Sequence, residues 1–295
     1  MRILPFILFL FPFLYSCNYN ETLALEYWYY NAVSYTKLAR LSVWQVPFVS
    51  DIYPKVSDIH IYKSKEPDNL AYSAFNPTTN TIFLIFRGSV SIKNWDQHMN
   101  LFQKSFKNQN CHKCKVHKGF LKAYNKLPRD EIMTDLKNLI VTYPQAKIVV
   151  SGFSLGAAMA NIALFDICKT LGKVDLFITF GAPRVGNKKF AESMKKLNCG
   201  GIEKIRVVNN RDPVAHYPME AMGFRHGQSE IFYKNGNYTF CENEESGECS
   251  GKIKWTKLIK IEMEDHFDYL GDVQRKTKYK KFDILETKKK NKEEL

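Results

Sequence analysis

Residues 147–171 read KIVVSGFSLGAAMANIALFDICKTL, an apolar run that turns within five residues into a small-residue helix. This is the feature that most restricts the fold. The run predicts a buried strand over 147–153, and the spacing that follows predicts a helix over 154–172. Gly152 and Gly156 lack Cβ atoms, so neighbouring chain can pass close to the turn between the two elements. Ala157, Ala158 and Ala160 open the helix with side chains small enough to let it lie close on a sheet. The same alternation recurs along the chain. Strands are expected at 80–89, 174–181 and 203–210, and short β runs and turns continue to residue 262. Helices are expected over 118–144, with a break at Pro128, and near 187–198, and Tyr27 to Trp44 carries helical spacing suited to a packing helix. Strands alternating with helices argue for parallel β-α-β units and an α/β fold. We find no internal repeat and no linker before the C-terminal tail, so a single domain over 18–272 is the simplest organisation.

The turn itself reads Gly152-Phe153-Ser154-Leu155-Gly156, a G-x-S-x-G match. A serine there is either a nucleophile held on a strained strand-to-helix turn or an ordinary turn residue between two glycines. A nucleophilic serine needs a base and an acid to orient that base, here in the chain order serine, acid, histidine. Asp212 lies in VVNNRDPVAHYP after an expected strand, where α/β proteins place working groups, although an Asp before Pro is also a common turn former. His266 lies in MEDHFDYLG with no histidine after it. His216 and His226 also follow Asp212 and compete for the role. His60, His98, His112 and His117 precede the serine and break the order. An oxyanion needs donors as well. Leu155 follows the serine, and Ser89 ends the run FLIFRGS after the permissive Gly88, so their N–H groups are the candidates.

Residues 1–17 read as a secretory signal, with one early cation, a short apolar region broken by two prolines, and a small residue near the cut. No other stretch approaches a membrane span. Six cysteines remain beyond it: Cys111, Cys114, Cys168, Cys199, Cys241 and Cys249. An even count in a secretory chain points to disulfides. Close spacing favours Cys111–Cys114 and Cys241–Cys249, leaving Cys168–Cys199 by elimination. The alternative for Cys111, His112, Cys114 and His117 is a zinc site, but four ligands would crowd into seven residues. Asn20 and Asn237 sit in glycosylation sequons. The net charge is +13, and residues 274–295 hold nine Lys/Arg against four Asp/Glu. Residues 273–295 therefore read as a basic, disordered tail, or as one that holds the protein near an anionic lipid surface. Nothing marks a nucleic-acid site. The last residues, KEEL, resemble an endoplasmic-reticulum retention signal or are the chance end of a Lys/Glu-rich tail.

Taken in order, FRGS (86–89), NW (94–95), VHKGF (116–120), GFSLG (152–156), TFGAPRVGN (179–187), DPVAHYP (212–218) and DHFDYLG (265–271) resemble the class 3 lipase family. The resemblance implies an α/β-hydrolase fold, a central mostly parallel sheet flanked by helices, with a helical lid over the site. It implies a triad of Ser154, Asp212 and His266, an oxyanion hole at Ser89 and Leu155, and no cofactor or metal. It also supports the Cys111–Cys114 disulfide. Ile92, Trp95 and Met99 share one face of a helical stretch. In these lipases the matching segment is a mobile lid, which implies interfacial activation. The expected activity is hydrolysis of lipid esters at a lipid–water interface, foremost triacylglycerol. Phospholipase A1-type and feruloyl-esterase-type hydrolysis on the same fold, or a catalytically silent lipid-binding protein, are the alternatives. Two departures stand out. Phe153 replaces a histidine common in the family and is expected to change a pocket wall. Residues 238–252 diverge, with two cysteines expected to staple a hairpin.

Overall fold

The computed structural model describes residues 19–65, 69–89, 102–242, 245, 247–253 and 263–271. Its main sheet follows from the runs of apolar residues. In chain order the strands are β1 (Ser57–Lys63), β2 (Leu70–Asn76), β3 (Thr81–Phe86), β4 (Gln103–Ser105), β5 (Lys115–His117), β6 (Lys147–Phe153), β7 (Leu176–Phe180), β8 (Gly186–Asn187), β9 (Glu203–Asn209), β10 (Phe224–Arg225), β11 (Ser229–Lys234) and β12 (Asn237–Cys241). The large sheet has the order β1-β2-β3-β6-β7-β9-β11-β12, and a smaller one has the order β10-β8-β5-β4. β3, β6, β7, β9 and β11 pair in parallel, while β1, β2 and β12 run antiparallel at the edges.

Both faces of the parallel core are covered, which is why its strands read as unbroken apolar runs rather than alternating ones. Ile148 and Val150 of β6 face a core shared with the helices Lys118–Asn125, Arg129–Thr142, Leu155–Leu171 and Lys188–Lys196. Val149 and Phe153 face the opposite core, built on the helix Glu21–Val33. That helix starts earlier and ends sooner than the expected 27–44 stretch. The Asn20 side chain caps it by accepting from Leu23 N–H at 3.0 Å, and the chain leaves it at Ser34. Asn31 Nδ2 donates to Ser151 Oγ at 2.8 Å, tying the helix to the strand that carries the serine turn.

The break at Pro128 is present between Lys118–Asn125 and Arg129–Thr142. The first of these helices is capped by an imidazole: His117 Nδ1 accepts from Gly119 N–H at 3.1 Å and Phe120 N–H at 3.3 Å. Cys111 and Cys114 are bonded to each other, so the disulfide replaces the zinc alternative, and His117 points inward as a cap. Cys168–Cys199 and Cys241–Cys249 are the other two disulfides. Among the described residues no helix is long and apolar enough to cross a membrane.

Burial of His117 lowers its pKa from 6.5 to about 4. The folded state therefore holds the neutral ring, while the unfolded chain takes up a proton first as pH falls. Its contribution is complete above pH 6.5 and is lost on descending toward 4. We expect a loss of about 3 kcal/mol across that interval from this group. His117→Asn, which keeps a capping oxygen, should flatten the dependence of the melting temperature on pH in this window. Parallel curves for the two proteins would contradict the assignment.

Candidate active site

The serine turn is strained as the sequence suggested. Ser154 has φ 58° and ψ −125°, a left-handed backbone that costs a non-glycine residue about 1–3 kcal/mol. Ser154 N–H donates to Phe180 O at 3.0 Å, fastening the turn to the end of β7. The next residue, Gly181, has φ +55°, and a Cβ there would lie 2.8 Å from Asp212 Oδ2 and 2.9 Å from His266 Cε1. Gly88 crosses on the other side, where a Cβ would come 3.1 Å from Ser154 Cβ. The residues that meet at Ser154 thus arrive from β3, β6, β7, β9 and the C-terminal helical turn.

Asp212 follows β9, and His266 lies in the helical turn Glu264–Phe267. Two asparagines hold these segments together. Asn209 Nδ2 donates to Asp265 O at 3.1 Å, and Asn210 Nδ2 to Asp265 Oδ1 at 3.3 Å. His266 Nδ1 then lies 2.9 Å from Asp212 Oδ2, with both side chains fully buried. Burial alone would raise the Asp212 carboxyl. The His266 charge and hydrogen bond, the Tyr269 hydroxyl and Val214 N–H outweigh burial and hold it below its usual value. Tyr269 Oη donates to Asp212 Oδ2 at 2.6 Å, and Val214 N–H to Oδ1 at 2.8 Å.

With Nδ1 on the carboxylate, the second ring nitrogen is directed away from it. His266 Nε2 and Ser154 Oγ are both buried, and among the described residues neither has a hydrogen-bond partner. His266 stacks on Phe153, the residue before Ser154, so a ring nitrogen able to accept a proton and a hydroxyl able to give one lie on adjoining parts of the fold. Leu155 opens the helix Leu155–Leu171, whose first N–H groups have no intrahelical acceptor. Ser89 follows Gly88 on the segment that crosses Ser154.

The competing histidines have other partners. His216 Nδ1 lies 2.9 Å from Asp212 O and Nε2 3.0 Å from Ser250 O. His226 Nε2 lies 2.8 Å from Ala215 O. His60 is paired with Asp135 at 3.3 Å. The candidate lid residues Ile92, Trp95 and Met99 lie outside the described residues.

The model of the family "Lipase (class 3)" matches residues 83–222. A solved fungal lipase–inhibitor complex, presented as a model for interfacial activation in lipases, is 30% identical. It covers 85% of this chain and 94% of its own, with a TM-score of 0.70. The chain belongs to the class 3 lipase family. Rhizomucor miehei lipase is 33% identical over 213 residues, 69% of this chain and 56% of that protein. Secreted mono- and diacylglycerol lipase A of Penicillium cyclopium is 33% identical over 174 residues, 58% of this chain and 53% of that protein. The chain spans about half the length of the curated relatives it matches. It has the α/β-hydrolase fold of the family's solved members.

Within this class 3 lipase chain the expectation for Phe153 needs correction. Its ring is fully buried and stacks on His266, with centroids 4.6 Å apart and planes at 30°. Trp28 and Tyr269 contact it edge-on at 5.2 and 6.0 Å. Phe153 is therefore the platform under the imidazole rather than a pocket wall, because a residue preceding the serine at the end of β6 points into the sheet's core. Tyr269 was likewise missed, since a tyrosine three residues after a histidine carries no signal until the fold brings it to Asp212. Tyr269→Phe removes a hydrogen bond to a buried carboxylate, and we expect kcat to fall about tenfold with KM unchanged. An unchanged kcat would show that the hydroxyl does no more than fill space.

Proposed function

We propose that the chain is a serine-dependent carboxylic ester hydrolase acting on lipids, foremost acylglycerols. The observation that carries this reading is the buried Asp212–His266 pair, stacked on Phe153 directly before the strained Ser154. Ser154 attacks the ester carbonyl while His266 Nε2 takes its proton. The N–H groups of Leu155 and Ser89 stabilise the oxyanion, each such donor contributing about 3 kcal/mol. His266 returns the proton to the leaving alcohol, Asp212 holds the ring and stabilises its cation, and water then releases the acyl group. None of these steps requires a metal or cofactor.

The family resemblance, the three disulfides and the exposed sequon residues Asn20 and Asn237 support passage through the secretory pathway. Residues 1–17 would direct it, and KEEL offers retention in the endoplasmic reticulum as the alternative to secretion. Residues 89–100 would act as the lid.

The function is tested with emulsified tri-, di- and monoacylglycerol, phosphatidylcholine and a feruloyl ester, each against Ser154→Ala. We expect acylglycerol hydrolysis by the wild type, reduced at least a thousandfold in the variant. Lipid binding without hydrolysis by either protein would support a silent binding role instead.

A further inference from the structure

Residues 102–122 contain six lysines and no aspartate or glutamate. The fold gathers several of them around one open concavity of about 850 Å³ beside the small sheet. Lys107, Lys113, Lys115, Lys169 and His112 line it, over a floor that includes the Cys111–Cys114 disulfide. All five cationic or ionisable side chains are exposed. Among the described residues, none of the four lysines has a carboxylate partner. The one acid in the wall, Asp166, already accepts from Tyr124 Oη at 3.0 Å and Asn108 Nδ2 at 3.2 Å and faces Arg129 Nη1 at 3.5 Å.

Four lysines around one concave surface whose single carboxylate is already engaged leave a net positive patch that attracts anions. The wall has no arginine, so it lacks the planar fork that recognises a single phosphate in two-point fashion. Flexible ammonium groups suit a surface of many phosphates instead. Directly before β4 Phe102 is 71% exposed, near Lys104 and Lys118, whose N–H donates to Phe102 O at 2.9 Å. Lysines flanking an exposed aromatic ring make a face that can insert one group into a lipid layer and hold headgroups with the rest.

We propose that this concavity and its β4–β5 rim form a docking surface for anionic phospholipid headgroups at a bilayer. The inference rests on the lipid-ester reading above for its choice of a lipid partner. It uses no residue of the basic tail and none of residues 89–100.

The test uses the full chain and sedimentation with two kinds of vesicle, phosphatidylcholine alone and phosphatidylcholine mixed with phosphatidylglycerol. The wild type should prefer the anionic vesicles, and the preference should fade as salt is raised. A variant carrying Lys107→Gln, Lys113→Gln and Lys115→Gln, with its tail intact, should bind them roughly 100-fold more weakly, about fivefold per lysine. Its hydrolysis of a soluble short-chain ester should match the wild type. Equal binding by variant and wild type overturns the proposal and leaves the hydrolase reading standing. Vesicle binding without any ester hydrolysis does the reverse. Displacement by inorganic phosphate at millimolar concentration, or capture of duplex DNA in preference to vesicles, also overturns it.

Discussion

We expect Asp212→Asn to lower kcat for a soluble ester by roughly four orders of magnitude, with little change in KM or fold. The reason lies in the two ends of the carboxylate. Val214 N–H at Oδ1 can only donate, whereas the Tyr269 hydroxyl at Oδ2 can turn to accept, so the asparagine keeps its oxygen at the Oδ1 position. Its NH₂ then faces His266 Nδ1, where the carboxylate had been an acceptor. The ring is forced to present Nδ1 as acceptor and Nε2 as donor, and a protonated Nε2 cannot take the proton of Ser154. The imidazolium also loses its neutralising charge. Circular dichroism should be unchanged, which separates this effect from unfolding. A drop of less than tenfold would mean that Asp212 does not set the tautomer.

Gly156→Ala should prevent folding, at a cost above about 4 kcal/mol. A Cβ at Gly156 would overlap the carbonyl oxygen of Phe86, lying 2.6 Å from its carbon and 2.7 Å from that of Arg87. Both are backbone atoms of the chain leaving β3, on which the helix Leu155–Leu171 rests. Neither can swing aside as a side chain would. Relief would require the helix to lift from the sheet, which would also carry Ser154 and Leu155 out of register. Gly172 supplies the control, since it ends the same helix at φ +68° with open space around its Cβ position. Gly172→Ala should cost about 1 kcal/mol, from backbone conformation alone. Comparable expression and melting temperatures for the two variants would contradict the close-crossing account.

These two glycines show what a sequence does and does not disclose here. The strand 147–153 and the helix after it were legible because a fully buried parallel strand reads as an apolar run and the turn is marked by glycine. Chain order offered Asp212 with His216, His226 or His266, and the family resemblance pointed to His266, which the fold pairs with Asp212. The helix Glu21–Val33 was misplaced because Ala24 through Val33 are all buried, leaving no polar face to fix its period or ends. β1 and β2 went unread. β1 is half-exposed with an irregular pattern, and β2 is buried throughout. Phe153 and Tyr269 act on His266 and Asp212 only through contacts made across the fold, so their roles have no counterpart in local spacing. The lysines around the disulfide loop were visible as residues. Their shared concavity was not, because Lys169 joins the others from a separate helix.

The central claim is that Ser154 is the activated nucleophile of this chain. It is tested most directly by treating the full-length protein with a fluorophosphonate ester and measuring intact mass, followed by peptide mapping. The account predicts one phosphonyl group per chain, on Ser154, absent from Ser154→Ala and slowed in Asp212→Asn. Labelling at any other residue, or no labelling of a protein that hydrolyses esters, would contradict it.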